Sequence, residues 1–286
     1  MAGSSLRPVL DEPALLLTPR AASRPRRIVL ADVHLGLGES GPREGLPSRT
    51  TAAELARHLV GICAAHSVRH LVIAGDVKHP IVGTPRLLRP VVFDFFAALL
   101  EAGVSVDVVL GNHDVGLAPH VPREVRVHGA EGFVIDGVGI FHGHRWPSPA
   151  VLAAPALVVG HLHPGVRLAP SAERPTGKER CWVRVDLRRP VDPARPEARA
   201  VRGRELVVLP AFNPLAGTEA LNRERPRRGR SFLYRRFLLR GEARAYLLDG
   251  TDVGKLTTPA SEPRSEGAPG SSTRRPRARD ISSRNR

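Results

Sequence analysis

The chain has 286 residues, and 42% of them are hydrophobic, which is enough for one large globular domain or two small ones. No stretch approaches 18 apolar residues and the amino terminus lacks the layout of a secretory signal, so neither a membrane span nor export is expected. The net charge is +15, from 43 basic residues of which only three are lysines; such a charge attracts phosphate-rich partners, although it also arises from a GC-rich genome.

The cysteine content indicates the redox environment. Cys63 and Cys181 lie far apart, and both are in apolar contexts. Two such thiols make no disulfide framework, so the composition predicts a protein of the reducing cytoplasm. The sequence gives no indication of the oligomeric state.

The first half of the chain alternates between strand and helix patterns. Val/Ile/Leu-rich runs without clear alternation, as in strands covered on both faces, occupy 28–36, 70–79 and 106–114. Helical patterns separate them at 50–66, with Thr51 at the N-cap, and at 86–103, where Pro90 indicates the start of the regular part. This order predicts an α/β layered fold with a partly parallel central sheet.

In the second half, further apolar runs lie closer together, which suggests antiparallel pairing, at 138–144, 156–164 and 205–214. Residues 181–187 and 204–210 have the pattern of a hairpin, joined by a mobile Arg/Pro-rich loop at 188–203. Residues 231–250 are expected to form a last strand pair that turns at Gly241 and Glu242. The composition then predicts one domain over 1–257 and a disordered basic tail over 258–286.

A polar cluster follows each of the first five of the six apolar runs. Ligands bind at the carboxyl ends of strands in α/β sheets, so these clusters are expected to converge on one crevice. Asp32 and His34, like His161 and His163, are two positions apart and would point the same way in an extended segment. A turn explains any single cluster, but five in order at equivalent strand ends favour a common site.

The residue types in these clusters are ligands of borderline and hard divalent ions. Seven candidates exceed what one tetrahedral site uses: Asp32, His34, Asp76, Asn112, His142, His161 and His163. They suit two ions about 3.5–4 Å apart, as in two-metal phosphoester hydrolysis. An aspartate can bridge two ions, and Asp76 has no second carboxylate beside it to share that task.

The motifs DVH, GD, GNHD, HGH and GHLH occur in this order over roughly residues 27–217. They resemble the motif series of the calcineurin-like metallophosphoesterases. The stretches ADVHLG, GDVKH, GHLHP and LPAFNPLAG further resemble the subgroup of SbcD-type nucleases and DNA-ligase-associated phosphoesterases. The resemblance implies a layered β-sandwich of mixed sheets flanked by helices.

By position, the resemblance also implies the roles of the site residues. The first metal ion would be held by Asp32, His34 and His163, the second by Asn112, His142 and His161, with Asp76 as the bridge. His113 would stand beside the substrate phosphate, with Asp114 orienting its imidazole. Candidates for supporting positions are His79, His144 and Asn213. The donor set suits Mn²⁺, with Fe or Zn as alternatives.

The activity expected from the resemblance is hydrolysis of a phosphodiester, in nucleic acid or a nucleotide, by a water molecule that two divalent ions activate. Candidate phosphate contacts are Arg223, Arg225, Arg227, Arg228 and Arg230. A small-molecule or protein phosphomonoesterase is an alternative, because the motifs serve both reactions. A non-catalytic metal-binding scaffold of the same fold is another, although the presence of His113 and Asp114 disfavours it.

Overall fold

Two mixed β-sheets, packed face to face, form the centre of the computed structural model. The structure describes the ranges 4–37, 52–169, 177–188, 204–222, 232–238 and 241–256. Helices cover the outer face of each sheet, so that the molecule has four layers. This is the predicted α/β architecture of a β-sandwich flanked by helices.

In the part of the chain that the structure describes, the first sheet contains six strands in chain order. They are β1 (Ser5–Pro8), β2 (Leu15–Thr18), β3 (Arg27–Leu30), β4 (His70–Ile73), β5 (Ser105–Val109) and β6 (Arg126–His128). From β3 to β6 all neighbours are parallel, whereas β1, β2 and β3 pair antiparallel. The carboxyl ends of β3, β4 and β5 therefore lie along one edge.

The second sheet is also mixed, and nine of its strands lie within the described residues. They are β7 (Phe133–Ile135), β8 (Val138–Phe141), β9 (Ala156–Val159), β10 (Pro164–Arg167), β11 (Lys178–Leu187), β12 (Arg204–Val208), β13 (Glu219–Ala220), β14 (Gly241–Leu247) and β15 (Asp252–Lys255). The expected antiparallel pairing is found for most of these strands, but it is wrong for β8, β9 and β12, which are parallel neighbours. The predicted hairpin is confirmed as the antiparallel pair β11 and β12.

Three apolar layers hold the sheets and helices together. Helices α1 (Ala52–Ala65) and α2 (Leu88–Glu101) bury residues such as Leu59 and Phe95 against the first sheet. Val72 and Trp182 belong to the layer between the sheets. The short helices α3 (Pro149–Ala153) and α4 (Phe232–Arg236) cover the second sheet. Each fully buried side chain of this size contributes about 1.5–3 kcal/mol.

Residues 231–250 do not form the predicted strand pair. Leu233, Tyr234 and Phe237 are buried at helical spacing, and they belong to α4 and the turn after it. Gly241 opens β14 instead of a turn and pairs with Leu187. A Cβ at Gly241 would overlap the carbonyl oxygen of Asp186, so glycine allows the strands to approach here. The hairpin partner of β14 is β15.

The other element predictions are confirmed: the six apolar runs carry strands, and the two helical patterns carry α1 and α2. Pro90 lies in the first turn of α2, where a missing N–H costs no hydrogen bond. Several predictions lie outside the described residues: the N-cap at Thr51, nearly all of the 188–203 loop, the arginines at 223–230 and the tail. None of the helices in the described ranges has the length and hydropathy needed to traverse a bilayer.

Candidate metal centre

The predicted ligands lie in five loops that meet at one edge of the sandwich. These loops follow β3, β4 and β5 of the first sheet and β8 and β9 of the second. The site is closed to solvent at its base, because Asp32 and His142 are both 0% exposed. The convergence arises because the parallel strands of both sheets end on the same side, as is usual for ligand sites in α/β sheets.

One group of ligand atoms comes from Asp32, His34, Asp76 and His163, all within 4.8 Å of one another. His34 Nε2 lies 3.2 Å from His163 Nε2. His163 Nε2 also lies 3.3 Å from Asp32 Oδ1. All four residues are buried.

A second group comes from Asp76, His142 and His161, again within 4.8 Å of one another. His142 Nε2 lies 3.2 Å from His161 Nδ1 and 3.2 Å from Asn112 Oδ1. The amide oxygen of Asn112 therefore joins this group. Together the two groups contain all seven predicted ligands.

Asp76 belongs to both groups. Its Oδ2 atom lies 3.2 Å from His142 Nε2 in one group and 3.8 Å from His34 Nε2 in the other. Its Oδ1 atom accepts the backbone N–H of His113 at 2.9 Å. One carboxylate oxygen is thus left facing both sets of donors.

The donor atoms fit divalent cations. His142 Nδ1 donates to the Ala74 carbonyl at 2.9 Å, and His163 Nδ1 donates to the Ala216 carbonyl at 3.3 Å, so both Nε2 atoms point into the site. Ring nitrogens 3.2 Å apart, as in His34 with His163 and His142 with His161, need either a shared proton or a metal cation between them. Metal–nitrogen bonds of about 2.0–2.1 Å place neighbouring ligands roughly 3.0–3.4 Å apart, which matches the distances above.

The charges at the site also favour a bound cation. Burial acts to lower the pKa of His142, but the carboxylates of Asp76 and Asp32 outweigh it and raise this pKa to about 9. Burial lowers the pKa of His34 to about 3, so this imidazole is neutral at pH 7, the form that binds metal. Positive charge therefore stabilises the buried carboxylates of Asp32 and Asp76, and a divalent ion would supply it.

Backbone strain is concentrated in the ligand loops. Eight described residues other than glycine have positive φ, and five of them are predicted ligands: Asp32 (60°), His34 (47°), Asp76 (55°), His161 (72°) and His163 (45°). The left-handed conformation costs roughly 1–3 kcal/mol per residue and clusters at functional sites. The predicted extended conformation is therefore wrong, both for Asp32 with His34 and for His161 with His163. Tight turns bring these side chains into the site.

His113 lies at the mouth of the site. Its Nδ1 donates a short hydrogen bond to the His79 carbonyl, and its Nε2 lies 3.8 Å from Asp76 Oδ2. The ring is T-shaped to that of His34, with centroids 4.8 Å apart. This orientation points Nε2 of His113 towards any molecule that binds at the two groups of ligand atoms.

Asp114 does not make the predicted contact with the His113 imidazole. Its carboxylate accepts the backbone N–H groups of Gly111 at 2.8 Å, Val77 at 2.9 Å and Lys78 at 3.3 Å. Burial, together with the nearby charge of Asp76, raises the pKa of Asp114 to about 6. Because backbone N–H groups of the loops after β4 and β5 occupy its carboxylate, Asp114 ties these two loops together, while the His79 carbonyl orients the His113 ring.

The three predicted supporting residues all lie beside the ligands. Asn213 Nδ2 donates to the Val33 carbonyl at 2.9 Å and so holds the loop between Asp32 and His34. The His79 ring stacks on His113 with centroids 5.6 Å apart. The His144 ring packs 5.4 Å from His142, and burial lowers the pKa of His144 to about 4.

Two basic side chains that support these loops, Lys78 and Arg180, were not predicted from the sequence. Lys78 is 0% exposed, and its Nζ donates to the carbonyls of Pro80, at 2.6 Å, and His113. Arg180 Nη1 donates to the carbonyls of Ala211 and Phe212 at 3.0 and 3.2 Å, in the loop that carries Asn213. A lysine between Asp76 and His79 gives no signal of burial in the sequence.

Comparison with known proteins identifies the fold. No protein-family model matches the sequence, and no curated protein is significantly similar to it. Among solved structures, the chain is similar in fold to a nuclease. The nuclease MPE of Pseudomonas putida matches with a TM-score of 0.51 and 18% identity, over 87% of this chain and 100% of the nuclease.

A second solved structure, the phosphoesterase Yfce from E. coli, matches more weakly. It has 15% identity and a TM-score of 0.34, over 80% of this chain and 97% of its own. A TM-score of this size does not establish a common fold. The fold assignment therefore follows from the nuclease and from the two sheets themselves.

Proposed function

We propose that the protein is a metal-dependent phosphoesterase that uses two divalent ions. The observation that carries this proposal is the pair of buried donor groups that share Asp76 Oδ2, at 3.2 Å from His142 Nε2 and 3.8 Å from His34 Nε2. Two adjacent cations with mixed nitrogen and oxygen ligands are the arrangement of two-metal phosphoester hydrolysis. Mn²⁺ suits this donor set, and Fe or Zn are the alternatives.

The residues around the ions divide the work. When bound, two divalent ions would supply a water nucleophile near neutral pH and would neutralise charge on the phosphate. Asp76 is the ligand that the two donor groups share, and Asn112 and His161 complete the second group. His113 Nε2, the ring atom that faces the site, donates its one proton in a hydrogen bond to the phosphate, and this proton passes to the leaving oxygen as the bond from that oxygen to phosphorus breaks.

The proposed substrate is a phosphodiester of nucleic acid. Two observations support it: the net charge of +15, and the likeness in fold to a protein that is a nuclease. Arginines that neutralise several phosphates release counterions, so affinity for a nucleic acid falls steeply with salt. The candidates for these contacts remain Arg223, Arg225, Arg227, Arg228 and Arg230.

The test begins with metal-free protein, to which Mn²⁺ is added. Its activity is measured on bis-p-nitrophenyl phosphate, p-nitrophenyl phosphate, cyclic nucleotides and single-stranded DNA. We expect metal-dependent hydrolysis of diesters, and no activity on any substrate in the presence of EDTA or in the Asp76→Asn variant. Faster hydrolysis of the monoester would favour a phosphomonoesterase, and full activity after exhaustive chelation would overturn the proposal.

Salt dependence tests the substrate class. Between about 50 and 200 mM salt, kcat/KM for an oligonucleotide should collapse while kcat/KM for the small diester changes little. Neutralising the five arginines at 223–230 should remove this sensitivity. Deletion of residues 259–286, which also removes arginines, is the matched control for charge alone. An equal salt response of the two substrates would argue for a small-molecule phosphoesterase.

A further inference from the structure

The loop after β4 holds His113 by three of its four polar atoms. The backbone N–H of His113 donates to Asp76 Oδ1 at 2.9 Å. Its ring Nδ1 donates to the His79 carbonyl, and its own carbonyl accepts from Lys78 Nζ. The fourth polar atom, Nε2, faces Asp76 Oδ2 at 3.8 Å. The direction of Nε2 is thus set by Asp76, Lys78 and His79 together.

Lys78 is the unusual member of this set. It is 0% exposed, and lysine is almost never fully buried unless its charge is paired or hydrogen-bonded. Its Nζ lies 2.6 Å from the Pro80 carbonyl and also contacts the His113 carbonyl. Hydrogen bonds from a charged donor are roughly twice as strong as neutral ones, so this ammonium group joins the loops after β4 and β5 firmly.

We propose that Lys78 is a positioning residue, which keeps His113 Nε2 aimed at the substrate phosphate by holding the His113 carbonyl. The proposal rests on the function proposed for His113. Lys78 Nζ donates to the carbonyls of Pro80 and His113 and is not one of the predicted ligands, so its loss should leave the donor groups intact. Small displacements of a catalytic group of about 1 Å can cost roughly 100-fold in rate.

The proposal is tested by a double-mutant cycle between Lys78→Met and His113→Gln, with Mn²⁺-loaded protein and bis-p-nitrophenyl phosphate. We expect Lys78→Met to lower kcat about 10- to 100-fold, with unchanged Mn²⁺ content and little change in KM. In the His113→Gln background, Lys78→Met should cause no further loss, because the group that it positions is gone. Lys78→Arg, which keeps charged donors, should recover part of kcat.

Arg180→Met is the matched control. It also removes a cation that binds two loop carbonyls, but these belong to Ala211 and Phe212 and not to His113. Its effect on kcat should therefore add to that of His113→Gln. If Lys78→Met does not fold, Lys78→Gln is tested instead. The glutamine side chain is one atom shorter than that of lysine, so its amide ends short of the position of the ammonium group.

A second readout uses metal-free protein and no substrate. The Nδ1–H proton of His113, identified by its loss in His113→Gln, is followed by NMR. We expect its exchange with solvent to be at least about 10-fold faster in Lys78→Met, since the ring is no longer held against the His79 carbonyl. Additive effects in the cycle, loss of Mn²⁺ from Lys78→Met, or an unchanged Nδ1–H proton would each overturn the proposal. Wild-type kcat in His113→Gln would instead overturn the proposed role of His113, and the NMR result would then decide on Lys78 alone.

Discussion

Replacing Asp76 with asparagine keeps the size of the side chain and an oxygen for the His113 N–H, but removes the negative charge. Because Oδ2 lies 3.2 Å from His142 Nε2 and 3.8 Å from His34 Nε2, we expect both metal sites to weaken together. Loss of an outer hydrogen-bond partner alone costs about 10- to 100-fold in metal affinity. Loss of a charged, shared ligand should therefore raise the Kd of each ion at least about 100-fold, or about 2.8 kcal/mol per ion.

The measurement is a calorimetric titration of metal-free protein with Mn²⁺ at constant pH. His163→Ala removes a donor from one group only, so it should weaken one ion and spare the other. Asp107→Asn is the control for the loss of a buried carboxylate, since Asp107 bonds Arg126 and His128 instead of the ligands; it should keep both ions. The reasoning is refuted if Asp76→Asn loses one ion and binds the other with unchanged affinity.

Three further predictions concern catalysis, acid stability and the tail. His113→Gln should keep both ions and lower kcat about 10²- to 10⁴-fold on a small diester; an unchanged kcat would exclude its proposed role. Burial acts to raise the pKa of Asp107, but hydrogen bonds from His128 and Arg126 lower it to about 2. This carboxylate should therefore contribute roughly 1–2 kcal/mol above pH 4, allowing for the exposure of Arg126, and lose that contribution as the pH falls towards 2. Urea unfolding of wild type and Asp107→Asn between about pH 4 and pH 2 measures this contribution. Free energies of unfolding that fall in parallel with pH in the two proteins would contradict the prediction. Deletion of residues 259–286 should leave the Tm and diester hydrolysis unchanged; calorimetry showing a large drop in Tm would mean that the tail packs.

The ends of the strands and the ligands on them could be predicted because both signals are local. An apolar run that stops at Asp32 or at Asn112 marks a buried strand and its exit loop, and the residue types indicate the metal chemistry. The pairing of ligands into two groups around Asp76 followed from the resemblance alone. Only the packing of two sheets, far apart in sequence, brings His34 and His163 within 3.2 Å.

The contacts that support the site were less predictable. Whether a carboxylate bonds a neighbouring ring or a distant backbone depends on the turn that it occupies, and Asp114 bonds Val77, Lys78 and Gly111 instead of His113. Lys78 is charged and sits in a loop motif, so composition places it at the surface. The apolar residues of 231–250 fit either a strand or a helix, because each segment is short. Packing against the second sheet stabilises the helix α4.

We propose that two ions lie side by side with Asp76 between them. Crystals grown with Mn²⁺, with diffraction data collected at the manganese absorption edge, test this claim directly. We expect two anomalous peaks about 3.5–4 Å apart, both within bonding distance of Asp76. One should lie beside Asp32, His34 and His163, and the other beside Asn112, His142 and His161. A single peak, or two peaks that do not share Asp76, would contradict it.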